Sequence, residues 1–175
     1  AVQQGNFELT DGMLYVRKNV GGSSNDVAII NSQTEVKQGY TNIEKGVLPQ
    51  GKAFIILGVA FGYQTGDISA VDEGEVVYNK LPAAALLNSE IEFTQRGRYI
   101  LEKGTPAKMF YNTGTGENSD DNVYWLRNLA VINDVQKFEL KQLFPDGVSV
   151  PANAAGANGN HFAEYAFVGV WVNQG

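Results

Sequence analysis

The sequence predicts an all-β fold: an antiparallel β-sandwich or single jelly roll with at most one or two short helices, spanning one domain over residues 1–175. Three observations predict it. Apolar residues come in short runs cut by Gly, Asn and Pro, and helical spacing is scarce. The composition is neutral-polar and loop-rich, with 20 glycines and only 18% charged residues against an average of about 25%. The last third of the chain holds the strongest β-forming segments, Val135–Phe144 and Phe162–Val172, on either side of a loop of small and polar residues at 152–161.

In chain order, Met13–Arg17 reads as a strand, followed by a Gly/Ser/Asn loop over Val20–Asp26 and a short apolar strand at Val27–Asn31. Thr34–Val36 and Tyr40–Glu44 read as weaker strands, and Gly46–Gly51, with Pro49, as a turn. Ala53–Tyr63 is apolar on both faces at its start, as a covered strand should be. Gly58 and Gly62 within it mark a bulge or a close backbone approach. An acidic loop at Thr65–Gly74 leads to a possible strand at Glu75–Tyr78. Leu81–Asn88, with three alanines after Pro82, is the one helical stretch. Ile91–Thr94 and Tyr99–Glu102 form a hairpin whose turn relies on Gly97 for positive φ. Gly104-Thr105-Pro106 turns the chain into a strand at Ala107–Tyr111, and a polar loop fills Asn112–Asn122. Val123–Leu126, Leu129–Ile132, Val135–Phe144 and Phe162–Val172 complete eight to ten strands.

Bulk properties exclude several functions. With no cysteine, disulfide staples, zinc–thiolate sites and thiol catalysis are absent. The net charge is −6, no positive charge precedes Arg17, and only Arg96, Arg98 and Lys103 approach a basic cluster. A phosphate-binding face is therefore not expected, nor direct nucleic-acid binding. No apolar run approaches the roughly 18 residues of a membrane helix.

Candidate sites are few. His161 is the only histidine, so a metal cluster of imidazoles is impossible, and any Ser–His–Asp relay would have to use it. Glu117, Asp120 and Asp121, with Asn118 and Asn122, offer oxygens to a calcium ion but lack the spacing of a helix–loop–helix calcium loop. Glu90 and Glu92 stand two apart on one strand face, the minimum for a glycosidase pair. Gly114-Thr115-Gly116 lacks the Lys-Ser/Thr of a phosphate loop. Trp125, Trp171, Tyr124, Tyr111 and Tyr165 can line a sugar-binding face or fill a core. No catalytic set, cofactor site or metal site is expected from these groups, with the acidic loop as the weak calcium candidate.

Two segments carry a family resemblance. Phe138-Glu139-Leu140-Lys141-Gln142-Leu143 runs into Phe144-Pro145-Asp146-Gly147 and Val150-Pro151, followed by a long loop and the apolar strand Phe162–Val172. Ala85–Phe93 leads through Tyr99–Glu102 to Gly104-Thr105-Pro106. Both resemble the jelly-roll major capsid proteins of tailless icosahedral viruses, and together cover about half of the chain. The resemblance implies a single-barrel, non-enzymatic virion protein located in the capsid, assembling into trimers or hexameric capsomers. It implies as partners copies of itself, other capsid proteins and an internal membrane beneath the shell. The alternative is a carbohydrate-binding module or lectin-like domain, a jelly roll whose glycan meets Trp125, Tyr124 and the loop 117–122. A third possibility is a β-sandwich hydrolase using Glu90, Glu92 and His161.

Overall fold

The computed structural model describes residues 7–66, 74, 76–111, 122–152 and 160–174. Among the described residues nine strands occur in this order: β1 (Phe7–Asn19), β2 (Asp26–Ile30), β3 (Lys52–Gly66), β4 (Glu90–Gln95), β5 (Arg98–Tyr99), β6 (Thr105–Pro106), β7 (Tyr124–Ile132), β8 (Phe138–Leu143) and β9 (Asn160–Gln174). One sheet has the order β1-β9-β3-β7, the other β2-β8-β4-β5, with β6 joined to β4. All named pairs are antiparallel. Leaving out the two-residue β6, the eight strands pair first with last, second with seventh, third with sixth and fourth with fifth. That wrapping of one long hairpin into two facing sheets is a jelly roll, as the sequence predicts.

Alternation builds the core. On β8, Phe138, Leu140 and Gln142 point inward while Glu139 faces solvent; β4 alternates in the same way. Leu14, Val16, Phe54, Ile56, Val59, Phe61, Tyr165 and Phe167 face them from the first sheet. Phe93 stacks on Phe167 across the sandwich with centroids 4.8 Å apart. Phe61 meets Tyr165, Phe110 and Tyr111 edge-on, contacts worth about 0.5–1.5 kcal/mol each beyond burial.

Turn chemistry explains the corners. Arg96 and Gly97 both have positive φ, the two-residue turn that suits strand twist, and Gln95 pairs with Arg98 across it. The Phe-Pro-x-Gly turn closes by Val148 N–H donating to Pro145 O at 3.0 Å, with Gly147 at φ 72. The expected irregularity in β3 is present, a register shift between Ile56 and Gly58.

Several expected elements differ. Thr34–Val36 and Tyr40–Glu44 are not strands but a looped connection held by single bridges, Lys37 to Thr41 and Val16 to Thr41. Gly39 at φ 82 breaks the extended run, and Ile43 anchors it in the core. The helix shrinks to one turn, α1 (Ala84–Leu87), with no side-chain cap. Ala107–Tyr111 opens as a 3-10 turn, Ala107–Met109, because burying Ala107 and Phe110 requires the chain to curl. The two runs Val123–Leu126 and Leu129–Ile132 are one bulged strand, β7. Val135, at φ 47, lies in a turn before β8. Val76–Tyr78 is irregular rather than a strand.

Candidate functional site

Strand geometry separates the aromatic pair that seemed most lectin-like. Tyr124 and Trp125 are neighbours in β7, so they face opposite sides of the sheet. Tyr124 packs edge-on against Phe110, with centroids 5.7 Å apart. Trp125 is 50% exposed on the outer face, above Gly58, where a Cβ would crowd its ring. Tyr111 and Tyr165 are core residues and can line no sugar site. The loop residues Glu117, Asn118, Asp120 and Asp121, and Gly114-Thr115-Gly116, lie outside the described residues, as do 153–159 of the later loop. Among the described residues no group of three His, Asp or Glu side chains is placed to hold a metal ion.

Glu90 and Glu92 share the outward face of β4, as their spacing predicts. Glu92 sits directly across from Lys141 on β8 and pairs with it at 3.6 Å. A solvated pair of this kind contributes about 0–1 kcal/mol, and it leaves no acid–base couple across a cleft.

His161 is the second residue of β9. Its Nδ1 meets the hydroxyl of Tyr63, which stands on the same face of β3. Burial raises the Tyr63 pKa and lowers that of His161, so both groups are neutral at pH 7 and the direction of their hydrogen bond follows the ring tautomer. A histidine whose folded pKa lies below its unfolded one adds stability that is present above about pH 6.5 and lost as pH falls through the folded value. Because His161 is the sole histidine, its proton NMR signal is expected to titrate with a midpoint below 6.5. A midpoint above 6.5 would show that the ring gains rather than loses charge stabilisation on folding. Nearby on β1, Lys18 Nζ donates to Ala28 O at 2.5 Å, bridging the two sheets, and burial lowers its pKa. Flanked by Arg17 and Asn19, it carries no local sequence sign of that role.

A concavity of about 770 Å³ lies elsewhere, around Trp171. The register aligns Thr10 with Trp171 and Lys52 with Asn173 on the inner face of the first sheet. The β2–β3 connection folds over this end and contributes Val36, Ile43, Val47, Leu48 and Pro49. Trp171 stands edge-on to Phe54 at 4.9 Å and lies across Gly12, where any Cβ would strike its ring. Asn42, Glu44, Lys45 and Lys52 add polar groups. The groove is therefore apolar with one indole and a polar rim, within the size range of small-ligand sites. Its walls come from residues 10, 36–52 and 171–173, too far apart in sequence for local pattern to reveal.

Comparison with protein-family models, with curated proteins and with solved structures finds no match to this chain in any of the three.

Proposed function

We propose that this protein is a structural virion component, a single jelly-roll capsid subunit that assembles into trimers or hexameric capsomers rather than catalysing a reaction. The observation that carries the reading is the strand order β1-β9-β3-β7 over β2-β8-β4-β5, joined to the closing segment Phe138–Pro151 that resembles capsid barrels. Jelly rolls host many functions, so the outer surface supplies the second support. Leu9 and Met13 on one edge strand and Trp125 and Val131 on the other are all more than 40% exposed, so both edges of the outer face of one sheet carry apolar side chains available to a protein contact. The proposed partners are copies of the chain and other shell proteins. The net charge of −6 over these residues suits a shell whose inner neighbour is a membrane rather than the genome.

The Trp171 groove favours one other reading, a glycan-binding module that uses Trp171 in place of Trp125, with Asn42 and Asn173 as amide partners. One set of measurements separates them. Mass photometry and electron microscopy of the purified chain are expected to show symmetric capsomers or shells. A chain that stays monomeric, with an indole emission that shifts on adding a glycan and fails to shift in Trp171→Ala, would replace the capsid reading with the glycan one.

A further inference from the structure

The first sheet ends in an unusually long edge strand, and among the described residues only half of it is covered. Tyr15 N–H donates to Asn42 Oδ1 at 2.9 Å and Arg17 N–H to Tyr40 O at 2.7 Å. Asn42 Nδ2 donates to Met13 O at 2.7 Å. These bonds show that odd-numbered residues of β1 turn their backbone groups away from β9. The register with β9 runs unbroken from Phe7 to Asn19, so Phe7, Leu9 and Asp11 present their N–H and C=O groups outward in the same way. Among the described residues nothing pairs with them. The other sheet edges are shorter or irregular: β2 has five residues and β5 two, and β7 is bulged. Along the open half, Phe7 and Leu9 are 65% and 66% exposed. An open, extended edge with apolar side chains is a template for another strand.

We propose that the chain forms a two-fold homodimer in which Phe7–Asp11 of β1 pairs antiparallel with the same segment of a second copy, centred on Leu9. The two sheets then become one continuous sheet through an isologous contact. Charge selects the register. Centring on Glu8 or on Asp11 sets that carboxylate against its own copy, which is destabilising in a cross-strand pair. Centring on Thr10 runs Phe7 into Met13, whose carbonyl already accepts from Asn42. Centring on Leu9 sets Asp11 against Phe7 and Glu8 against Thr10, with no like charges opposed. The contact goes beyond the capsid reading, because it is one the chain makes alone in solution.

The chain has no cysteine, so Leu9→Cys gives a direct test. A hydrogen-bonded antiparallel pair holds its Cα atoms about 5.5 Å apart, inside the disulfide range. Two Asp11 positions would be about 13 Å apart along the strands. Mild oxidation is expected to yield a disulfide dimer from Leu9→Cys and little from Asp11→Cys. Sedimentation of the unmodified chain, diluted below the concentration at which capsomers assemble, is expected to show a dimer. Leu9→Pro, which removes an outward donor and leaves pairing with β9 intact, is expected to weaken that dimer about tenfold or more. A monomeric unmodified chain, a dimer indifferent to Leu9→Pro in a variant that keeps its β-sheet circular dichroism, or equal cross-linking at Asp11→Cys would overturn the proposal. Capsomers that still form from Leu9→Pro would leave the capsid reading standing while the two-fold contact is lost. A stable dimer that builds no shell would separate the two in the other direction.

Discussion

Gly169→Ala is expected to destabilise the fold by about 4 kcal/mol or more, beyond the usual cost of overpacking. A Cβ at this position would lie 1.9 Å from Ile55 O and 2.9 Å from Ile55 C. The obstacle is the backbone of the adjacent strand, which cannot rotate aside as a side chain can. Gly169 stands mid-strand in β9, paired with Gly12 on one side and Ile56 on the other, just where β3 changes register. Any accommodation must part β9 from β3, the central pair of the sheet. Gly12→Ala offers a contrast at the neighbouring position. Its Cβ would meet the Trp171 ring at 2.5 Å, and that ring can swing toward the groove. Urea unfolding is expected to show a folded Gly12→Ala with altered indole emission and a Gly169→Ala without a cooperative transition. A Gly169→Ala as stable as the parent chain would mean that β3 and β9 are not held as closely as described.

Much of this architecture was legible locally. The inward–outward alternation of Phe138, Glu139 and Leu140 located β8, and Arg96-Gly97 located the β4–β5 turn. Gly58 marked the bulge and Gly62 the close approach, where a Cβ would lie 2.5 Å from the Tyr78 side chain. Errors arose where tertiary context outweighed pattern. Tyr40–Glu44 has strand-like composition, but its polar groups cap the edge of β1 at Tyr15 and Arg17 rather than joining a sheet. Of Tyr99–Glu102 only Tyr99 is strand, in the two-residue β5, and Thr105–Pro106 takes the far end of the same edge of β4. The site was harder still. Period-two alternation alone excludes a shared face for Tyr124 and Trp125, whereas the Trp171 groove depends on bringing β1, β9 and the β2–β3 connection to one end. Pairing the first strand with the last is a long-range fact that no window of sequence contains.

A polar residue at an inward position of β8 carries the second large effect. Gln142 is fully buried and stands in a directed chain of hydrogen bonds. The Tyr165 hydroxyl donates to Gln142 Oε1, Gln142 Nε2 donates to Ser89 Oγ at 2.7 Å, and Ser89 Oγ donates to Leu86 O at 2.6 Å. The chain runs from the first sheet through the second to α1. Burial raises the pKa of Tyr165, with the adjacent Tyr111 adding to it, so the phenol remains a donor at neutral pH. Gln142→Leu keeps the volume but strands the Tyr165 hydroxyl and removes a donor from Ser89. It is expected to cost about 2–4 kcal/mol, since an orphaned buried donor bears its full desolvation penalty. Adding Tyr165→Phe should recover part of that loss, because removing both partners of a bond is far less costly than removing one. Tyr111 supplies an internal control. Its hydroxyl is buried beside Gln142 and Tyr165, whose polar groups offset part of the rise that burial gives its pKa, but it has no well-aligned hydrogen-bond partner. Tyr111→Phe is therefore expected to be neutral or to stabilise by up to about 1 kcal/mol. Urea midpoints of the three variants and the parent at pH 7 give the ranking. If Gln142→Leu matches the parent, or if the double change is no better than Gln142→Leu alone, the sheets are joined by apolar packing and the polar chain between them contributes nothing measurable.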